Sequence, residues 1–275
     1  MEARVATDRD AIVARRTVNG GDIWATADGR WGVGGSHSTL NCGLMLHELG
    51  LKPATPLARG IAGIVFRSWE PDGRIRPGPG LAVQPCHTAH AARLLARLGY
   101  AGDPRLRQTF EWLLSKQHVD GGWRCSRVKL GASADTDASN PGVTLCVLDA
   151  LRFAETSAHG TGLDRAVDTL LVHWTTRRPM GPCGFGIGSR FQRVEFPFFR
   201  YNLFFYVYVL SFHERTRRSR AFKEALALLT SKLVEGRVVV EHQMPGLEDL
   251  AFCREGAPTE LATARYAEIV ENLKR

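Results

Sequence analysis

Hydrophobic positions along the chain fall into blocks of helical period, two of them closed by a glycine. From Ser38 to Gly50, Leu40, Leu44, Leu46 and Leu49 recur at i, i+3/i+4 spacing, and Gly50 stands where a helix ends in the left-handed conformation. Ala89 to Gly99 repeats the plan with Ala92, Leu95 and Leu98. Asp103-Pro104 is an N-cap followed by a first-turn proline, and it predicts a helix through Phe110, Trp112, Leu113 and Leu114. Pro141-Gly142 opens another helix, with Val143, Cys146, Val147 and Leu151 on its apolar side. Pro197 is expected to open a helix over 198–212. Arg220 to Leu233 returns from it, and a last helix is expected from Pro258 to Leu273. Arg237-Val238-Val239-Val240 is the one short run with a strand signal.

The loops between these blocks share a design, glycine beside an aromatic or branched residue. They are Asp28-Gly29-Arg30-Trp31-Gly32, Asp72-Gly73-Arg74-Ile75, Asp120-Gly121-Gly122-Trp123 and Cys183-Gly184-Phe185-Gly186. They recur about every 45 to 60 residues, the range of helix-pair arrays. No low-complexity linker divides the chain. The pattern predicts an all-α protein made of one domain over residues 1–275, with residues 1–27 as an N-terminal extension.

The segment Gln117-His118-Val119-Asp120-Gly121-Gly122-Trp123 resembles the QW repeat of squalene cyclases and the matching turn of protein prenyltransferase β-subunits. The physical logic is a glutamine at a helix end, a turn that needs φ > 0, and a tryptophan that packs back onto the neighbouring helices. The runs 84–100, 120–125 and 196–202 look like short single-domain bacterial squalene-cyclase-like proteins. The resemblance extends from about Asp28 onward and implies an α/α toroid, a ring of helix pairs around a central cavity. It implies the scaffold better than the reaction.

In such a toroid the inner helix starts converge on one mouth of the cavity, and the resemblance directs attention to what stands there. Cys86, His87 and Cys125 are of the types that hold zinc, as prenyltransferase β-subunits do with an Asp, a Cys and a His. The family spacing, an Asp one residue from the Cys, is not reproduced, so a buried small thiol remains the other reading for the cysteines. Squalene cyclases protonate an alkene with the middle Asp of Asp-x-Asp-Asp. Here Asp135-Thr136-Asp137-Ala138 lacks the final Asp, and Asn140 takes the acid's place when the helices are aligned. Asp135 and Asp137 are thus candidate acids or members of a solvated loop, and Tyr201 is a further catalytic candidate. Cys42, Trp123, Asn140, Phe199, Tyr201 and Phe205 are the expected cavity lining, in a chain whose stretch 196–212 is dense in aromatics. Arg200 and Arg124 are placed to meet phosphate oxygens.

Composition narrows the setting. A net charge of +8 permits an acidic partner, but the arginines are spread thinly and 215–220 is the one cluster, so nucleic acid is not expected. Apolar runs are broken well before the roughly 18 residues of a membrane span. The N-terminus carries acids and no apolar core of a secretory signal, which points to the cytoplasm and to reduced cysteines. The expected ligand is a hydrophobic, isoprenoid-like small molecule, with zinc as cofactor and a partner protein as further expectations. The competing class is a non-catalytic toroid that binds lipid or protein.

Overall fold

Polar caps and first-turn prolines set where the helices start. Thr55, Asp103 and Asn140 each accept a hydrogen bond from a backbone N–H of the turn they open, and each is followed by proline. Such caps satisfy donors that the helix itself leaves unpaired. The computed structural model describes residues 2–125, 137–154, 160–181 and 183–275. All the regular elements among them are helical, as the pattern of apolar positions predicts.

By their contacts the residues form two compact units. The first comprises Met1–Lys116 and Met244–Phe252. It holds α1 (Glu2–Ala14), α2 (Thr39–Glu48), α3 (Pro56–Phe66), α4 (Pro85–Leu95) and α5 (Pro104–Ser115). Within it α2 packs beside α4, α1 and α3 touch α2, and α5 covers α4. The second unit comprises Gln117–Gln243 and Cys253–Arg275. It holds α6 (Pro141–Leu151), α7 (Gly160–Thr176), the single turn α8 (Ser189–Gln192), α9 (Leu203–Leu210), α10 (Arg220–Thr230) and α11 (Glu260–Lys274). Here α6 packs beside α9, α7 covers α6, and α10 covers both α9 and α7.

Burial separates two kinds of helix. Every residue of α9 is buried, and every residue of α6 except Gly142. A helix apolar nearly all round has to be enclosed on several sides. The covering helices are one-sided instead: α10 buries Phe222, Ala225 and Leu229, and α5 buries Leu106, Thr109, Phe110 and Leu113. Those are the i, i+3/i+4, i+7 positions of a single stripe.

The glycine loops join the two kinds of helix, and the joint recurs in both units. In the first, Asp72 accepts from the N–H of Arg74, and in the second, Asp120 accepts from the N–H of Gly122. The glycine between takes positive φ, 92° at Gly73 and 98° at Gly121. The next-but-one N–H is buried and donates to a threonine on the enclosed helix: Ile75 to Thr88 Oγ1 at 3.2 Å, Trp123 to Thr144 Oγ1 at 3.0 Å. Each glycine also lies against a backbone carbonyl of the covering helix. A Cβ there would sit 2.6 Å from the oxygen of Gln108 or of Arg165. Those same residues donate back to the loop, Gln108 to the carbonyl of Pro71 and Arg165 to that of Val119. Gln117, expected to satisfy the end of its own helix, instead donates to the carbonyls of Gly121 and Gly162, both at 2.6 Å. It ties the loop to the start of α7.

Some boundaries differ from those expected. The helix assigned to 198–212 begins only at Leu203, because Asn202 is the residue whose side chain caps it, accepting from the N–H of Phe205. Pro197 and the three aromatic or basic residues after it are irregular chain. The helix expected from Ala89 starts a turn earlier, at Pro85, and the last helix starts at Glu260. The run 237–240 forms no strand: Val239 and Val240 make single bridges, to Pro258 and Glu255. Residues set apart as an N-terminal extension are built into the first unit. Ile12 and Trp24 are fully buried, the indole of Trp24 donates to the carbonyl of Ile12, and Asp8 accepts from the N–H groups of Ala251 and Phe252.

Two glycines with similar φ separate backbone strain from crowding. Gly29 has φ 83° with nothing within 4 Å of a added Cβ, whereas Gly121 meets the Arg165 carbonyl. Gly29→Ala is expected to cost about 1–2 kcal/mol and Gly121→Ala roughly 3 kcal/mol, the difference being the overpacked contact. Denaturant unfolding of both variants checks this; equal losses would show that the carbonyl contact is soft.

Candidate site at the starts of two buried helices

The candidate site lies in the second unit, where α6 and α9 begin. Both helices are capped by asparagine, Asn140 accepting from the N–H of Val143 and Asn202 from that of Phe205. The chain reaches α6 from the Trp123 loop, whose carbonyl accepts from the N–H of Asn140 at 2.8 Å. Asp120 pins this approach, accepting from both the N–H and the hydroxyl of Ser139. Burial pushes the Asp120 carboxyl up, but the hydrogen bonds from Ser139 and Gly122 outweigh it and hold the group below the usual carboxylate range. Asp120 is structural.

The segment after α7 folds over the start of α6. A Cβ on Gly181 would lie 3.0 Å from the Ser139 carbonyl, and one on Gly142 would lie 3.4 Å from Tyr201 and 3.5 Å from Phe185. At Gly181 the positive φ and the close carbonyl favour glycine, while at Gly142 the two rings come to ordinary contact distance. Tyr201 is therefore held between the start of α6 and the aromatic rings around it. Phe191 stands at 4.8 Å between centroids, Phe185 at 5.7 Å edge-on, and Tyr206 at 6.4 Å edge-on. Edge-on and tilted contacts of this kind suit the ring quadrupoles.

The Tyr201 hydroxyl lies 2.8 Å from Nδ1 of His173, which reaches in from α7 and is fully buried. Burial lowers the His173 pKa, with the carbonyls of Phe185 and Arg178 pulling the other way. Burial raises the Tyr201 pKa well above the ordinary phenol value, and neighbouring Tyr206 adds to the rise. Both shifts favour the uncharged forms, so the two make one neutral hydrogen bond at pH 7. In the tautomer with its proton on Nε2, His173 accepts from the Tyr201 hydroxyl.

A second polar group, Glu195, lies just before the aromatic run and is 7% exposed. Its carboxylate is 3.6 Å from Nε of Arg200, too far for a good hydrogen bond. Burial raises its pKa, opposed first by Arg200 and then by His242, Arg190 and Arg193. Arg200, expected to meet phosphate, thus faces a carboxylate of its own unit. Arg124 does likewise, pairing with Asp137 and contacting His118. Asp137 is about half exposed and makes its ion pair with Arg124. Asp135 lies outside the described residues.

The other expected site residues are placed as follows. Trp123, Asn140, Phe205 and Cys42 are each 1% exposed or less, packed among neighbours. Phe199 is half-buried. Burial pushes the Cys42 thiol far up, with Arg15 opposing weakly, so it behaves as a small apolar group. Cys86 and His87 belong to the first unit, where the Cys86 thiol is 3.6 Å from Oε1 of Gln84, and buried Cys125 belongs to the second. Among the described residues no group of three His, Cys, Asp or Glu side chains gathers to hold a metal. No helix among the described residues is long and apolar enough to cross a membrane.

His173 and Glu195 were not anticipated. His173 sits inside an ordinary amphipathic helix, and Glu195 in a stretch dominated by aromatics, so neither belongs to a local motif. Tyr201 stood out in the sequence by its place near an expected helix start.

The neutral His173 sets a pH dependence. Its folded pKa is lowered, so the unfolded chain takes up the proton first as pH falls. Stability from the pair is present above the ordinary histidine value of about 6.5 and declines below it. His173→Gln is expected to flatten that decline in unfolding measurements between neutral and mildly acid pH. An unchanged slope would place the protonation elsewhere.

No family model and no curated protein matches the sequence. Among solved structures, type II terpene cyclase MstE from Scytonema is similar in its apo form at 14% identity and a TM-score of 0.36, over 99% of this chain and 98% of that one. The same cyclase in complex with geranylgeranyl dihydroxybenzoate gives 14% identity and a TM-score of 0.36, over 99% of this chain and 97% of that one. In complex with merosterolic acid A it gives 15% identity and a TM-score of 0.32, over 86% and 81% of the two chains.

Proposed function

We propose that this chain is a terpenoid-cyclase- or prenyltransferase-like α/α toroid that takes a hydrophobic, isoprenoid-type ligand and acts on it. The observation that carries the reading is Tyr201, a hydroxyl fixed on buried His173 within rings of Phe185, Phe191 and Tyr206, at the start of two enclosed helices. An apolar chain fits aromatic walls, and π faces stabilise positive charge that develops along it. One oriented hydroxyl with a buried imidazole behind it is suited to giving or taking a proton at a defined point. The QW-like joint, which recurs in both units, supports the same scaffold.

A second reading is a toroid that binds such a ligand without turnover. It is favoured by Asn140, a helix cap with no proton to give, and by the pairing of Asp137 with Arg124. The two readings separate in one experiment. Geranylgeraniol and its diphosphate are titrated calorimetrically, and the incubated mixtures are then analysed for products by mass spectrometry. The catalytic reading expects saturable binding and a new product. Tyr201→Phe is expected to cut turnover on the order of 100-fold or more while leaving affinity within about threefold, the signature of a lost proton-transfer group. Binding with no product supports the non-catalytic toroid. No saturable binding of either compound overturns the isoprenoid ligand.

A further inference from the structure

The first unit contains a cavity that the site above does not use. It has a volume of about 490 Å³ and lies between the end of α1, the turn after it, and one face of α3. That volume is within the range of small-ligand sites, about 300–1,000 Å³. Ile23, Leu57 and Ile64 contribute apolar wall, and Gly60 keeps the floor low. A Cβ at Gly60 would come to 3.1 Å from Ile23 Cδ1, so any other residue there would encroach on the wall.

The polar side of the cavity is unequal in charge. Arg16 and Asp22 hold each other in a two-point pair, at 2.6 and 2.7 Å, and so neutralise one another. Arg67, at the end of α3, also lines the cavity and is exposed, and no carboxylate pairs with it among the described residues. The lining therefore offers an apolar trough with one uncompensated guanidinium at its rim. A guanidinium fork of this kind suits a carboxylate or a phosphate.

We propose that this cavity is a binding site for an amphipathic anion, a single acyl or prenyl chain lying along Ile23, Leu57 and Ile64 with its anionic head on Arg67. The chain supplies the apolar burial, and the head fixes its direction. The proposal stands apart from the Tyr201 site and does not depend on it.

Decanoate, decyl phosphate and decanol, each below its aggregation concentration, are titrated into the full chain by calorimetry. Both anions are expected to bind at one site at least tenfold more tightly than decanol, and the tighter of the two identifies the head group. Arg67→Gln, at an exposed position, is expected to remove that advantage while leaving decanol binding unchanged. Leu57→Trp is expected to weaken all three by filling the trough. Equal affinity of decanol and the anions, or full anion binding by Arg67→Gln, overturns the assignment. Unchanged binding of all three by Leu57→Trp would overturn it too, by moving the ligand out of this cavity.

Discussion

A backbone N–H that follows a glycine turn into the interior must find an acceptor, and this constraint organises both units. Left unpaired it would cost about 1–3 kcal/mol. Ile75 and Trp123 meet it in the same way, by donating to a threonine in the first turns of an enclosed helix. Once that bond is made, the rest of the joint follows. The aspartate three residues earlier shapes the turn, the glycine lets the covering helix approach, and the covering helix donates back to the loop. The position of α6, and so of everything at its start, rests on the bond between Trp123 and Thr144.

The site at α6 and α9 shows how burial selects charge state. Asp120 stays ionised although half-buried, because Ser139 and Gly122 supply enough donors to replace water. Burial keeps Tyr201 and His173 uncharged, and they share one hydrogen bond. Glu195 lies between these cases, with an arginine near it but not well placed. The two carboxyls, Asp120 and Glu195, thus shift in opposite directions according to the donors and charges around each, while burial keeps Tyr201 and His173 uncharged.

Much of the fold was legible because it depends on local chemistry. Asp103-Pro104 and Asn140-Pro141 mark helix starts by their own hydrogen bonds, and Gly50 and Gly99 mark ends by their φ of 81° and 90°. The start of α9 was misjudged because Pro197 looked like the first-turn proline, while the capping side chain was Asn202, five residues on. The strand signal at 237–240 came from β-branched residues that bury individually without a partner strand. The site was legible only in part. Tyr201 stood out at a helix start, but His173 comes from a helix 28 residues away in sequence, and that pairing depends on tertiary packing.

The Thr88 and Thr144 joints also bear on how the chain finds its fold. Their partners are 13 and 21 residues apart, short loops by the standard of a chain this size. Closing the longer one costs only about 0.4 kcal/mol more than the shorter, since loop entropy grows with the logarithm of length. Contacts this local form early and without long-range search. Each helix can therefore acquire its anchoring loop before its neighbours arrive, and the chain between loop and threonine is free to vary in length at little thermodynamic penalty.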